Sequence, residues 1–425
     1  MLSKFKNILF WSVISAAFIG PGTVTVAAQA GASFGLSLLW ALTFSIIATL
    51  ILQEGAARLT ICSGTTLGNA VSKRFGAKPQ YSWMVFLAVA IGCGAYEAGN
   101  IMGGVSGILL IYDVNKEVLV TIIGLLAIAI LWTGRIKLIS NALGIVVAIM
   151  GIAFFSVALN TDLDFGKILI SAVTPSFPES SSLLVIGLVG TTVVPYNLFL
   201  GSGISTGQNL QEMRVGLGWA ILIGGAISCA VLMVGSGIEG EFSFVALVNR
   251  FENSIGNWSG ILIGVGLFAA GFTSCVTAPL ATAITGQSIF SKNRAWDTGN
   301  KNFRLTWLII LIIGLAFGIT DFRPIPIIIL AQALNGLLLP FVASILWITL
   351  NNAKVMNTNN VNSVWMNLIT GVVVFISIFL GMNNLSRATM SMINYESPGV
   401  LLPTNLIASA VLTIFISYLV YRERN

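Results

Sequence analysis

Three runs of this chain, Ile122–Trp132, Ile145–Leu159 and Leu305–Ile319, carry no charge and almost no polar group. Such runs end up either in the core of a large protein or in lipid. Charge decides between the two. The 425 residues hold 21 Lys and Arg, 15 Asp and Glu and no His, so 8% of the chain is charged. A soluble domain carries about 25% charged residues. This chain cannot cover a water-facing surface, which excludes a soluble enzyme, a nucleic-acid binder and a disordered protein. The runs also lack the alternation of polar and apolar residues that marks the strands of a membrane barrel. The 44 Gly suit helices packed closely in lipid. An all-α polytopic membrane protein follows.

Cys62, Cys93, Cys229 and Cys275 all lie in or beside apolar runs and read as small core residues. Met1–Trp11 starts basic, but the apolar stretch continues through Gly20-Pro21 and is too long for a cleavable leader.

A membrane-crossing helix needs about 20 mostly apolar residues, and by that measure the chain holds about twelve. They lie at 11–36, 38–58, 82–111, 117–134, 138–160, 182–206, 216–237, 257–290, 304–320, 324–350, 362–382 and 400–421. With the N-terminus inside, only Lys116, Lys167, Arg250, Arg323 and Arg387 of the 21 basic residues fall outside. That asymmetry obeys the positive-inside rule and places both termini in the cytoplasm, across a plasma membrane. Clusters such as Lys73-Arg74 and Lys292-Asn293-Arg294 are then topology signals. Of the acids, Glu54 and Glu97 stay at membrane depth. Glu54 precedes Arg58 by one helical turn and reads as its ion-pair partner.

Two spans are interrupted. The first contains Gly20-Pro21-Gly22-Thr23-Val24-Thr25 and the sixth Gly190-Thr191-Thr192-Val193-Val194-Pro195-Tyr196-Asn197. Pro removes a backbone donor, and Gly weakens the helix further. A break in mid-membrane is tolerated only where protein or a water-filled cavity satisfies the freed groups. Two broken helices, each opening a set of five, are the pattern of an inverted-repeat transporter with a site near the midplane. The repeats are expected at 11–160 and 182–350, followed by two extra helices at 362–421. All belong to one transmembrane transport domain.

Further motifs carry a family resemblance. Gln53-Glu54-Gly55-Ala56-Ala57-Arg58-Leu59 with Gly64 and Leu67, the run Gly190–Ser202, and Gln332 with Leu339-Pro340-Phe341 resemble the second, sixth and tenth helices of the Nramp family of divalent-metal transporters. The resemblance implies the LeuT-like fold of the amino acid–polyamine–organocation superfamily, with five plus five helices in inverted repeat. It also shows departures. The family's first helix carries Asp-Pro-Gly-Asn, whose Asp and Asn ligate the metal; Gly20 and Thr23 stand there. Val194 replaces a metal-binding Met, Tyr196 a His linked to proton movement, and Trp307 an Arg. Pro21, Gly22, Pro195, Asn197 and Gln332 are kept.

The substrate site is therefore expected at Gly20, Pro21, Gly22, Thr23, Thr25, Thr192, Val194, Tyr196, Asn197 and Gln332. A dehydrated divalent cation usually takes at least one carboxylate, and this set holds none. Free N–H groups after the first break suit a carboxylate, and free carbonyls before Pro195 suit an ammonium. The leading expectation is secondary transport of a small organic solute such as an amino acid. Transport of a divalent cation (Mg²⁺ or Mn²⁺), using Asn197, Gln332, Thr23 and carbonyls, is the alternative, and a non-transporting sensor a further one. Coupling is expected through Glu97 as a proton carrier, or through sodium at Thr273-Ser274, which resembles a sodium site of LeuT-like symporters. No P-loop and no acid/base or nucleophile constellation is present. The chain reads as no enzyme, with no resident metal, no cofactor and no nucleic-acid partner.

Overall fold

The computed structural model describes residues 19–75, 79–134, 136–161, 163–290, 293–356, 358–392 and 398–424. The reading of Met1–Trp11, the start of the 11–36 span and the basic residues Lys78, Arg135 and Lys292 lie outside the described residues.

Among the described residues, eleven helices are long and apolar enough to cross a membrane. They match, in order, every span expected from 38–58 onward. The helices are α1 (Pro21–Phe34), α2 (Leu39–Ser63), α3 (Leu67–Phe75), α4 (Pro79–Leu109), α5 (Lys116–Thr133), α6 (Ile136–Leu159), α7 (Phe165–Val173), α8 (Ser182–Thr192) and α9 (Pro195–Ile204). They continue as α10 (Leu210–Gly235), α11 (Phe244–Ile255), α12 (Trp258–Ile289), α13 (Lys301–Ile319), α14 (Pro324–Leu350), α15 (Ala353–Met356), α16 (Val364–Met392) and α17 (Pro398–Arg424). The second interruption is present, with Pro195 opening α9 after an extended Val194. Pro21 opens α1 after an extended Gly20, and the stretch of the first span before Ile19 lies outside the described residues.

The helix contacts repeat across the two sets of five. α1 packs on α10, and α8–α9 pack on α2; α4 packs on α14, and α12 packs on α6. The counterparts α4 and α12 pack on each other along most of their length. Small residues allow this: a Cβ on Gly271 would lie 2.7 Å from the Asn100 carbonyl oxygen, and one on Gly107 2.5 Å from that of Gly264. In lipid such close approach replaces the hydrophobic drive that water would supply. Burial ranks the helices. The broken sixth span has 89% of its most apolar window buried, against 33% for Lys116–Thr133. The interrupted helix is central, and α5 has a face for lipid.

The expected ion pair of Glu54 gains a second partner. Its carboxylate pairs with Arg58 at 3.2 Å and with Arg214 at 2.7 Å, so α2 is tied to α10. The Arg58 side chain is 8% exposed and that of Arg214 51%. Removing one partner of a buried pair costs about 3–5 kcal/mol, whereas exposed pairs contribute about 0–1 kcal/mol. Arg58→Ala is therefore expected to lower the melting temperature of the purified protein clearly and Arg214→Ala only slightly. Equal shifts in a thermal-unfolding assay would refute this ranking.

Candidate functional site

The start of α1 meets the break between α8 and α9. Thr23, on the first turn of α1, shares a hydrogen bond with Thr191, on the last turn of α8, at 2.9 Å between hydroxyl oxygens. Local chemistry turns backbone groups toward the break from both sides. The Gly20 carbonyl accepts from the Val24 N–H, which closes the first turn of α1. The first N–H groups of that turn lie at the positive end of the half-helix. At the other break, Val193 N–H donates to the Val189 carbonyl. Four residues after Thr191 stands Pro195, which has no N–H to offer the Thr191 carbonyl. The Thr192 carbonyl accepts only a long bond, 3.4 Å, from the Thr49 hydroxyl. The negative end of α8 thus presents carbonyl oxygens to the break.

Gln332 of α14 fills the space between them. A Cβ on Gly22 would lie 2.1 Å from Gln332 Nε2, and a Cβ on Gly190 would lie 1.9 Å from the Gln332 carbonyl oxygen. Glycine is needed at both positions because side chain and backbone of the same residue press on them. Gln332 is fully buried, and neither Oε1 nor Nε2 has a hydrogen-bond partner. Asn197, on the first turn of α9, is 2% exposed, and both its amide atoms are also without partners. Buried polar groups are nearly always hydrogen-bonded, and an orphaned one costs about 1–3 kcal/mol. Two such orphaned carboxamides, on α9 and α14, are candidate ligand donors.

The other expected residues divide. Gly20, Pro21, Gly22 and Thr23 form the first break, and Thr192, Val194 and Tyr196 the second, all of them buried. The Thr25 hydroxyl is buried without a partner, whereas the Thr192 hydroxyl bonds back to the Leu188 carbonyl at 2.9 Å. The Tyr196 ring packs edge-on against Tyr96 of α4, with centroids 5.5 Å apart. Tyr96 approaches the first break: its hydroxyl would lie 3.2 Å from a Cβ on Gly20, and Ser274 Oγ 3.6 Å from it.

Next to Tyr96 on α4 stands Glu97, wholly buried. One of its carboxyl oxygens accepts from Asn100 Nδ2 at 3.4 Å, and the other has no hydrogen-bond partner. The Thr273 hydroxyl is bonded back to the carbonyls of Ala269 and Ala270, at 2.9 and 3.0 Å. Ser274 is the member of that pair that faces Gly20. Among the described residues no group of three or more Cys, Asp or Glu side chains is arranged to hold a metal ion.

The sequence reading missed three residues. Thr191 pairs with Thr23, and its signal was its place in the same break. Thr49 reaches the Thr192 carbonyl. Asn335 is 1% exposed with an unpartnered amide nitrogen, and it sits one turn after Gln332. The three-residue spacing on one helix was its signal.

The fold and the paired breaks define a LeuT-like membrane transporter. The family model described as natural resistance-associated macrophage protein-like matches residues 12–387, and the chain belongs to that family, Nramp. It is 25% identical over 367 residues to the divalent metal cation transporter MntH of Verminephrobacter eiseniae, covering 79% of each chain. It is 24% identical over 388 residues to MntH of Mycobacterium tuberculosis, covering 85% of this chain and 87% of that one. Among solved structures, the fold matches a mutant of the manganese transporter of Eremococcus coleocola with a TM-score of 0.72, at 17% identity, over 97% of this chain and 92% of that one. It also matches Mhp1, a nucleobase-cation-symport-1 family transporter in a closed conformation, with a TM-score of 0.60, at 15% identity, over 98% of this chain and 92% of that one.

These findings overturn the leading expectation of an organic solute and of amino acid transport. That expectation rested on the missing carboxylate. It gave too little weight to neutral oxygens such as those of the buried, unpartnered Asn197 and Gln332 amides.

Proposed function

We propose that this chain is a secondary transporter that carries a divalent metal cation, bound between its two interrupted helices. The observation that carries the reading is the pair of buried, unpartnered carboxamides, Asn197 and Gln332. Family membership and the divalent-metal relatives support the substrate class. The donors are Asn197 Oδ1, Gln332 Oε1, the Thr23 hydroxyl and the carbonyls ending α8. All are hard, neutral oxygens. Such a set suits Mg²⁺ or Mn²⁺ better than a thiophilic ion. With no carboxylate, the ion keeps part of its water shell, as Mg²⁺ readily does. The negative end of α8 offsets part of its charge.

The moving parts in this reading are the repeats 11–160 and 182–350, with 362–421 outside the repeat. The basic end of the bundle faces the cytoplasm, with both termini there, across the plasma membrane. Glu97 carries the coupling proton. An intramembrane acid with one oxygen unpartnered supports that role, and Tyr96, its neighbour in sequence, reaches the first break.

Uptake of Mn²⁺ into proteoliposomes tests this. An inward proton gradient is expected to accelerate uptake, and Glu97→Gln to remove the acceleration while Mn²⁺ still binds. Acceleration that survives Glu97→Gln would rule out Glu97 as the carrier. The placement of Ser274 beside Gly20 favours a second coupling reading, sodium held by Ser274 and Thr273. It requires that a sodium gradient drive uptake and that Ser274→Ala abolish that drive. Saturable binding with no flux under either gradient would favour the sensor.

A further inference from the structure

Away from Gly20 and Pro195, α14, α16 and α17 border a cleft. Its volume is about 500 Å³, within the range of about 300–1,000 Å³ for pockets that hold whole ligands. Its walls are Trp347 of α14, Gly371 and Phe375 of α16, and Ser417 and Tyr421 of α17, and Arg424 closes one end.

The polar groups along the walls are already committed. The hydroxyls of Thr413 and Ser417 bond back to the carbonyls of Ser409 and Thr413, each at 2.8 Å. The Asn367 amide accepts from Trp347 Nε1 at 2.9 Å and from Asn351 Nδ2 at 2.8 Å, and donates to Asn351 Oδ1 at 2.8 Å. To a ligand the cleft is therefore apolar, except for Arg424. That guanidinium has no hydrogen bond or ion pair among the described residues. The acid beside it, Glu423, is engaged elsewhere, by Arg74 at 2.9 Å and by Asn352.

The cleft also has a defined depth. Exposed Trp365 and Tyr421 stand near the Arg424 end, and such aromatics mark the headgroup level of a bilayer. Val372 and Leu368, deeper along α16, are exposed at the level of acyl chains. An apolar slot at chain depth, with a cation unpartnered among the described residues at headgroup depth, complements the charge and polarity of an anionic phospholipid. We infer that this cleft is a binding site for an anionic phospholipid, its acyl chain between α14, α16 and α17 and its headgroup phosphate on Arg424.

Binding there has a route to the rest of the molecule. The wall residue Trp347 holds Asn367, which accepts from Asn362 Nδ2 at 3.2 Å. Asn362 in turn accepts from Arg58, whose other contacts are Glu54 and, at 2.8 Å, the Asn360 carbonyl. The lipid thus braces the polar chain that joins α14 and α16 to α2.

Native mass spectrometry of the purified full chain, exchanged into mixtures of phosphatidylglycerol and phosphatidylethanolamine, tests the site. The wild type is expected to retain phosphatidylglycerol several-fold over phosphatidylethanolamine. Arg424→Gln is expected to bring that ratio close to one, and Ser417→Phe to fill the slot and remove retained lipid of both kinds. Millimolar inorganic phosphate is expected not to displace the lipid, because the acyl chain carries part of the binding. Thermal unfolding checks that each variant folds; should Ser417→Phe not fold, Val372→Trp replaces it. No preference in the wild type, an unchanged preference in Arg424→Gln, full retention in a folded slot-filling variant, or displacement by phosphate would each overturn the site.

Discussion

Asn197→Ala is expected to abolish saturable Mn²⁺ and Mg²⁺ uptake while leaving the protein at least as stable as the wild type. The two halves of this expectation come from one fact. Both amide atoms of Asn197 are buried, and neither has a partner. A buried polar group without a partner costs about 1–3 kcal/mol, so its removal relieves the folded state, less the small cost of the space left behind. The same amide is a metal donor in the proposed site. Loss of even an outer partner of a metal ligand typically costs about 10–100-fold in affinity, and loss of a direct donor at least as much. Proteoliposome flux and thermal unfolding on the same preparation read both halves. A structural Asn would behave in the opposite way, with lower stability and unchanged affinity.

Gly190→Ala is expected to destabilise the protein by about 3 kcal/mol, the upper part of the range for overpacking in a filled core. The added methyl carbon would lie 1.9 Å from the Gln332 carbonyl oxygen and 2.4 Å from the Gly336 nitrogen. Both are backbone atoms of α14, so no rotamer change can make room. A Cβ on Gly336 would meet α8 in the same way, 2.4 Å from the Ile186 carbonyl oxygen. The helices must separate, and Gln332 moves away from Gly22 and from the break. Folded yield, melting temperature and uptake are expected to fall together. Gly218→Ala in α10 is the control. A Cβ there meets nothing within 4 Å, and no loss is expected.

The fold was legible in the sequence because lipid imposes simple rules. Apolar length marked the spans, and Pro21 and Pro195 marked the two helices that cannot run through. Close helix approach was legible only as a high Gly content; which glycine faces which helix depends on packing across the whole chain, as Gly271 on Asn100 shows. The site was partly legible. Asn197 and Gln332 were found by resemblance, but their lack of partners is a property of three dimensions, and so is the bond from Thr23 to Thr191. The substrate was misread because a missing carboxylate is visible in a sequence, whereas the burial of unpartnered neutral oxygens is not. Glu54 shows the reverse case. Its helical spacing to Arg58 was enough to predict one ion pair, and the bond to Arg214, far away in sequence, was not foreseeable.

The central claim is that a divalent cation sits between the two broken helices on neutral oxygens. Crystals grown with Mn²⁺, measured for anomalous scattering at the manganese edge, test it most directly. The expected result is one strong peak in the break between α8 and α9, roughly 2.1–2.4 Å from Asn197 Oδ1 and Gln332 Oε1, as for an oxygen-bound hard cation. Saturable Mn²⁺ uptake with the peak anywhere else, or with no peak at these two amides, would contradict it.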